Sequence, residues 1–145
     1  MNKYDSLKIE NQLCFPLYAC SKEIIRRYKP LLDKIDLTYT QYITMMILWN
    51  NDNINVKELG KKLFLDSGTL TPLLNKLEDK GLIKKTKNSK DERNLIIELT
   101  DKGIKLRDDA LNVPIKIKEC INLNEEEALF LYKILYKLLD GMEEF

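Results

Sequence analysis

The 145-residue chain contains no histidine, and its three cysteines (Cys14, Cys20 and Cys120) form no C-x-x-C pair. Zinc clusters and Cys–His nucleophilic dyads need partners that are missing, so neither a metal site nor a cofactor is expected. An odd number of cysteines argues against a disulfide framework and leaves at least one free thiol. Long apolar runs are also missing. None reaches the roughly 18 residues of a membrane span, and the opening MNKYDSLKIENQ has no signal-peptide core. These absences point to a cytoplasmic chain without a membrane partner. With no repeat, low-complexity tract or dividing linker, residues 1–145 read as a single domain.

A net charge of +1 conceals an uneven distribution. Lys84, Lys85, Lys87, Lys90 and Arg93 face only Asp91 and Glu92 in the middle of the chain, whereas the stretch from Glu119 onward holds seven carboxylates against Lys133 and Lys137. A basic block beside an acidic tail is compatible with a small nucleic-acid-binding module, and equally with a solvated surface.

Apolar spacing lays out the elements. Leu13, Leu17, Cys20, Ile24 and Tyr28 share one face of a helix expected from Leu7 to about Tyr28, kinked at Pro16 or losing a hydrogen bond there, and ending or bending near Tyr28 ahead of Pro30. Cys20 is expected to pack with Leu17 and Ile24. Thr38 with Gln41 predicts a capping box for a helix through Trp49, and Asn55 with Glu58 caps a short one over VKELGKKL. Asp66 and Ser67 open a fourth helix that buries Leu70, Leu73, Leu74 and Leu77 and stops at Gly81. Leu82–Ile83 and Asn94–Leu99 read as two strands around a KNSKDER turn. Thr100 caps a long helix to about Cys120 that Pro114 interrupts, and Asn124 caps the last. The apolar stripe of that last helix, from Leu129 to Met142, is too wide for one core-facing side. It predicts central burial or a second subunit.

The fold class is therefore mainly α with a small β-hairpin wing: a winged helix-turn-helix over about 38–100, with dimerisation helices over about 1–34 and 101–145. In such a module the second helix enters the major groove and the hairpin reaches the minor groove. Ser67, Gly68, Thr69, Thr71 and Pro72 are small enough to let that helix approach DNA, with Asn75 and Lys76 further along it. The bland counterpart is a helical packing unit with a polar surface helix.

The segments LDSGTLTPLLNKLEDKGLI and KDERNLIIELTDKG resemble the MarR family of winged-helix regulators, and the resemblance spans nearly the whole chain. More narrowly, NQLCFPLYACSKEIIRRYKPLLD, LTYTQYITMMILW and LDSGTLTPLL resemble the organic hydroperoxide resistance repressors and related staphylococcal thiol regulators. The resemblance implies a homodimeric repressor on pseudopalindromic double-stranded DNA, with organic hydroperoxide as effector and no enzymatic turnover. It implies that Cys14 is the sensing thiol, hydrogen-bonded by the partner subunit's tyrosines matching Tyr28 and Tyr39. In the wing it implies that Asp91 orients Arg93 into the minor groove, beside Lys90. Cys120 matches the region of a resolving cysteine, and capping by a small cellular thiol stays open beside it. Two other readings also stay open: derepression by a small aromatic ligand in the dimer crevice, and a thiol redox enzyme. The lack of C-x-x-C, histidine and any cofactor loop weighs against the second.

Overall fold

The computed structural model describes residues 2–88 and 91–142, and the side chains of residues 88 and 91–94 fall outside that description. The chain enters through two 3₁₀ turns, Asp5–Leu7 and Ile9–Asn11. Asn11 Nδ2 donates back to the Asp5 carbonyl and Gln12 Nε2 to the Ser6 carbonyl, both at 2.7 Å. These side-chain bonds to backbone compete with helix, so α1 spans Cys14–Asp33 instead of starting at Leu7. Two proline expectations are corrected with it. Pro16 is the third residue of α1, where amides have no intrahelical acceptor and a proline removes nothing. Pro30 lies inside the helix, which continues past Tyr28 to Asp33. Burial of Leu32, 1% exposed, offsets the lost hydrogen bond.

α2 (Tyr39–Asn50) opens on the expected capping box. Thr38 Oγ1 accepts from Gln41 N at 3.3 Å, and Gln41 Oε1 accepts from Thr38 N at 3.0 Å. A two-residue strand β1 (Ile54–Asn55) follows, then α3 (Val56–Leu63), where Asn55 Oδ1 accepts from Lys57 N. Asp66 caps α4 (Ser67–Asp79) by accepting from Thr69 N at 2.8 Å. Gly81 then turns the chain at φ 74°, a left-handed conformation that suits glycine. Leu70, Leu73, Leu74 and Leu77 are buried as the spacing required.

β2 (Ile83–Asn88) and β3 (Asp91–Leu99) form the wing. It differs from the expected hairpin in two ways. The sheet has a third strand, because β1 pairs antiparallel with β3 through Ile54 and Ile97, in the order β1-β3-β2. A two-residue strand carries no periodicity that a sequence could reveal. Strand pairing also reaches further into the charged segment, so Asp91 begins β3 opposite Asn88, after a register shift at Lys87/Asn88.

The long helix expected after Thr100 is two helices, α5 (Asp101–Asp109) and α6 (Asn112–Cys120). Pro114 cannot donate to the Ala110 carbonyl four residues back, and Val113 N bonds that carbonyl at 3.1 Å instead. The break therefore precedes the proline by one turn. α7 (Glu125–Asp140) starts on a second capping box, Asn124 with Glu127, with three glutamates in its first turn. None of its side chains is buried, and Phe130 is 68% exposed. The core lies elsewhere: Met45, Leu48, Leu59, Leu74, Leu77, Ile83 and Ile97 fill the space between α2, α3, α4 and the sheet.

The root of the wing is locked where three elements meet. Thr100 N donates to the Leu82 carbonyl at 3.1 Å, and Thr100 Oγ1 donates to the Gly81 carbonyl at 2.6 Å. Trp49 Nε1 donates to the Gly103 carbonyl at 2.9 Å, bringing in α2. A Cβ on Gly103 would lie 2.2 Å from the Leu82 carbonyl oxygen. Backbone sits on both sides, so no side chain can rotate to make room. Gly103→Ala is therefore expected to destabilise the fold by about 3 kcal/mol. Gly68→Ala, whose nearest contact is Asp66 Oδ1 at 3.4 Å, is expected to gain up to about 1 kcal/mol from helix propensity. Urea denaturation of both variants checks this; equal midpoints would remove the wing-root constraint.

Candidate functional site

The first candidate surface is the outer face of α4 with the wing beside it. Ser67, Gly68, Thr69, Thr71, Pro72, Asn75 and Lys76 are all exposed, while the leucine stripe holds the opposite face in the core. Hydrogen bonds from Thr69 hold the Asp66 carboxyl below its ordinary range, so the first turn of α4 keeps a charged cap. Sequence reasoning missed Lys57, Lys61 and Lys62, which are exposed on α3; Lys85 of the basic block lies on β2. Lys85 is only partly exposed, because its ammonium bonds the Asn75 side-chain oxygen. Lys90 lies outside the described residues, as do the side chains of Asp91 and Arg93, whose backbone belongs to β3.

The second candidate site is a tyrosine cluster. The rings of Tyr28 on α1 and Tyr39 on α2 have centroids 4.9 Å apart, and Tyr42, one turn beyond Tyr39, lies 5.8 Å from Tyr28. Tyr42 was not singled out from sequence, although its spacing from Tyr39 puts both on one helix face. Burial pushes the Tyr28 hydroxyl up to about 12, with Tyr39 and Tyr42 adding to the effect, and burial raises Tyr39 and Tyr42 as well. At neutral pH all three are therefore neutral hydroxyls able to donate. The turn that carries Tyr39 is tied to the end of α4. Gln41 Oε1 accepts from Lys80 Nζ at 3.0 Å, and the same ammonium bonds the Asp36 carbonyl.

The cysteines are not brought to this cluster within one chain. Cys14 and Tyr28 sit on the same helix, 14 residues and so roughly 21 Å apart along its axis. Cys14 is exposed at the first residue of α1. Cys120 is exposed in a groove with Glu23, Ile24 and Arg27 of α1. Glu23, the nearest of these to Cys14 in sequence, is still roughly 14 Å along the helix from it, beyond the approximately 7 Å Cα limit of a disulfide. Cys20 does not pack as expected. It is exposed, with Leu17 at 45% and Ile24 at 41%, so among the described residues that face of α1 is left largely uncovered.

Comparison with known proteins places the chain among DNA-binding transcriptional regulators. A family model described as transcriptional regulator SarA/Rot matches residues 26–110. The chain is 43% identical over 143 residues to the organic hydroperoxide resistance transcriptional regulator of Bacillus subtilis, covering 99% of this chain and 97% of that protein. It is 47% identical over 120 residues to the HTH-type transcriptional regulator SarZ of Staphylococcus aureus, covering 83% and 81%. Among solved structures it is similar to reduced AbfR of Staphylococcus epidermidis bound to DNA, with a TM-score of 0.79, 31% identity and 97% of each chain covered.

The tyrosine cluster has a consequence at high pH. In an unfolded chain tyrosines ionise near 10, whereas Tyr28 keeps its proton to about 12 in the fold. A raised folded value contributes stability that is complete below the unfolded value and lost as pH rises through the folded one. Stability should therefore fall between about pH 10 and 12, and Tyr28→Phe should reduce that fall. Titration by tyrosinate absorbance should contain a late component that Tyr28→Phe removes. Ionisation of all seven tyrosines together near pH 10 would contradict the cluster.

Proposed function

Because the chain belongs to the SarA/Rot-type, MarR-like winged-helix transcriptional regulators, we propose that it is a dimeric repressor that releases its operator when an organic hydroperoxide oxidises Cys14. The observation that carries this reading is the cluster of Tyr28, Tyr39 and Tyr42, neutral donors gathered on α1 and α2 roughly 21 Å from the same chain's Cys14. In a second copy with α1 antiparallel to the first, each Cys14 meets the partner subunit's tyrosines. The uncovered apolar residues of the terminal helices, among them Leu13, Leu17, Leu129, Phe130 and Leu131, supply the apolar surface for that pairing. Residues about 1–34 and 101–145 thus pair the copies, and about 38–100 carry the DNA-binding winged helix.

The chemistry follows from the thiolate. Donors aimed at sulfur favour it over the thiol, and the thiolate attacks peroxide. The Cys14 sulfur attacks the outer peroxide oxygen and the O–O bond breaks. The alcohol leaves with the proton, and the sulfur is left as a sulfenic acid. A second thiol then displaces water to form a disulfide. That thiol is a small cellular thiol, or Cys120 of the other copy, since within one chain the span along α1 is too long. Either product disrupts the hydrogen bonds from Tyr28 and Tyr39, and the Gln41–Lys80 link connects that turn to α4. AbfR, which the chain resembles, has also been solved in a disulfide form.

On DNA, α4 is set in the major groove through Ser67, Gly68, Thr69, Thr71, Pro72, Asn75 and Lys76. Lys90 and Arg93 enter the minor groove, with Asp91 orienting the arginine. A second reading is favoured by one cavity of about 550 Å³ beside Tyr28, Ile117, Leu129 and Tyr132. A small aromatic ligand bound there would derepress without any cysteine.

Operator binding with and without cumene hydroperoxide separates the two. Cys14→Ser is expected to bind DNA normally and to keep it after peroxide, while Cys20→Ser releases as wild type does. A Cys14→Ser protein that still releases would move the sensor elsewhere and favour the ligand. Arg93→Ala should weaken operator binding by about 1–3 kcal/mol. Unchanged affinity would remove the wing from the interface. A dimer band on a non-reducing gel that disappears in Cys120→Ser would assign the second thiol to Cys120; added mass on a monomer would assign it to a small thiol.

A further inference from the structure

Asn75 lies on the exposed face of α4. Its side-chain oxygen accepts a hydrogen bond from Lys85 Nζ on β2, and the same ammonium is 3.9 Å from Glu78 Oε1, nearly one turn further along the helix. The Lys85 side chain is 19% exposed, against 62% for the neighbouring Lys84, so it is laid along α4 and not extended into solvent. An ammonium group only donates. The contact therefore fixes the orientation of the Asn75 amide: the oxygen is held by β2, and the NH2 group is the part that remains for a ligand.

That orientation matters on a helix that reads base edges. An unconstrained asparagine pairs with adenine in bidentate fashion, donating to N7 and accepting from the N6 amino group. Here one of the oxygen's two lone pairs is taken by a cation, whose charge disfavours a second donor at the other. The two amide hydrogens instead match the adjacent O6 and N7 acceptors of guanine, and the nearby positive charge favours the same edge. We propose that Lys85 is a positioning residue for sequence recognition: by holding the Asn75 oxygen it commits Asn75 to guanine and against adenine in each operator half-site. This rests on α4 lying in the major groove, the reading given above.

The test is selection of bound sequences from randomised half-sites, with affinities measured across salt concentrations, for wild type, Lys85→Met, Lys85→Arg, Asn75→Ala and Thr71→Ala. Wild type is expected to prefer guanine at one position per half-site, and Asn75→Ala to erase that preference. Lys85→Met should move the same position toward adenine by about tenfold without lowering the salt slope by a full phosphate contact. Lys85→Arg should retain guanine. An unchanged preference in Lys85→Met overturns the proposal. So does a uniform loss across all sequences with the salt slope reduced by about one, which would assign Lys85 to a phosphate. If Thr71→Ala weakens binding while the Lys85 variants read as wild type, only this inference fails. If neither Asn75→Ala nor Thr71→Ala alters binding, α4 is not in the groove and both readings fall.

Discussion

The approach of Gly103 to the Leu82 carbonyl is the contact on which the winged-helix half of the molecule depends. At that point the end of α4, the root of β2 and the start of α5 come together, and only hydrogen occupies the space between the two backbones. Thr100 bonds Gly81 and Leu82 from one side, and the Trp49 indole bonds the Gly103 carbonyl from α2. The Thr100 N–Leu82 bond and the Gly103–Leu82 approach are backbone to backbone, so they cannot relax by changing rotamers. The angle between α4 and the wing is thereby set by backbone contacts. The Lys85 contact to Asn75 then acts on a pair of elements already held in place.

The other half has the opposite character. α7 buries none of its own side chains, and much of the apolar face of α1 is also uncovered. Apolar surface of this extent, at both ends of one chain, is the physical basis for the proposed dimer. It also gives the proposed sensor its logic. Cys14 and the tyrosines are separated by most of the length of α1, so a thiol and its donors can meet only across two copies. Oxidation chemistry at such a junction acts on the relation between subunits, and the Gln41–Lys80 bond connects the Tyr39 turn to α4.

Much of the fold was legible in the sequence because its signals are local. Capping boxes at Thr38 and Asn124, the Asp66 cap, Gly81 and the leucine stripe of α4 each depend on residues within one or two turns. The expectations that failed at the ends of α1 failed on local competition. Asn11 and Gln12 bond backward to backbone, and Pro30 is retained because Leu32 is buried beyond it. The exposure of Cys20 was hidden for another reason: an apolar face records that something will cover it, and not whether the cover comes from the same chain.

The sequence by itself determined the order of the helices, the winged architecture, and which residues of α4 face outward, since periodicity and capping are properties of neighbouring residues. Its likeness to a family singled out Cys14, Tyr28 and Tyr39. Only the tertiary structure decided that β1 joins the sheet, that Tyr42 completes the tyrosine cluster, that Gly103 must lack a side chain, and that Lys85 fixes the Asn75 amide. Each of these depends on atoms far apart in sequence meeting within a few ångströms, and such distances are set by the packing of the whole core.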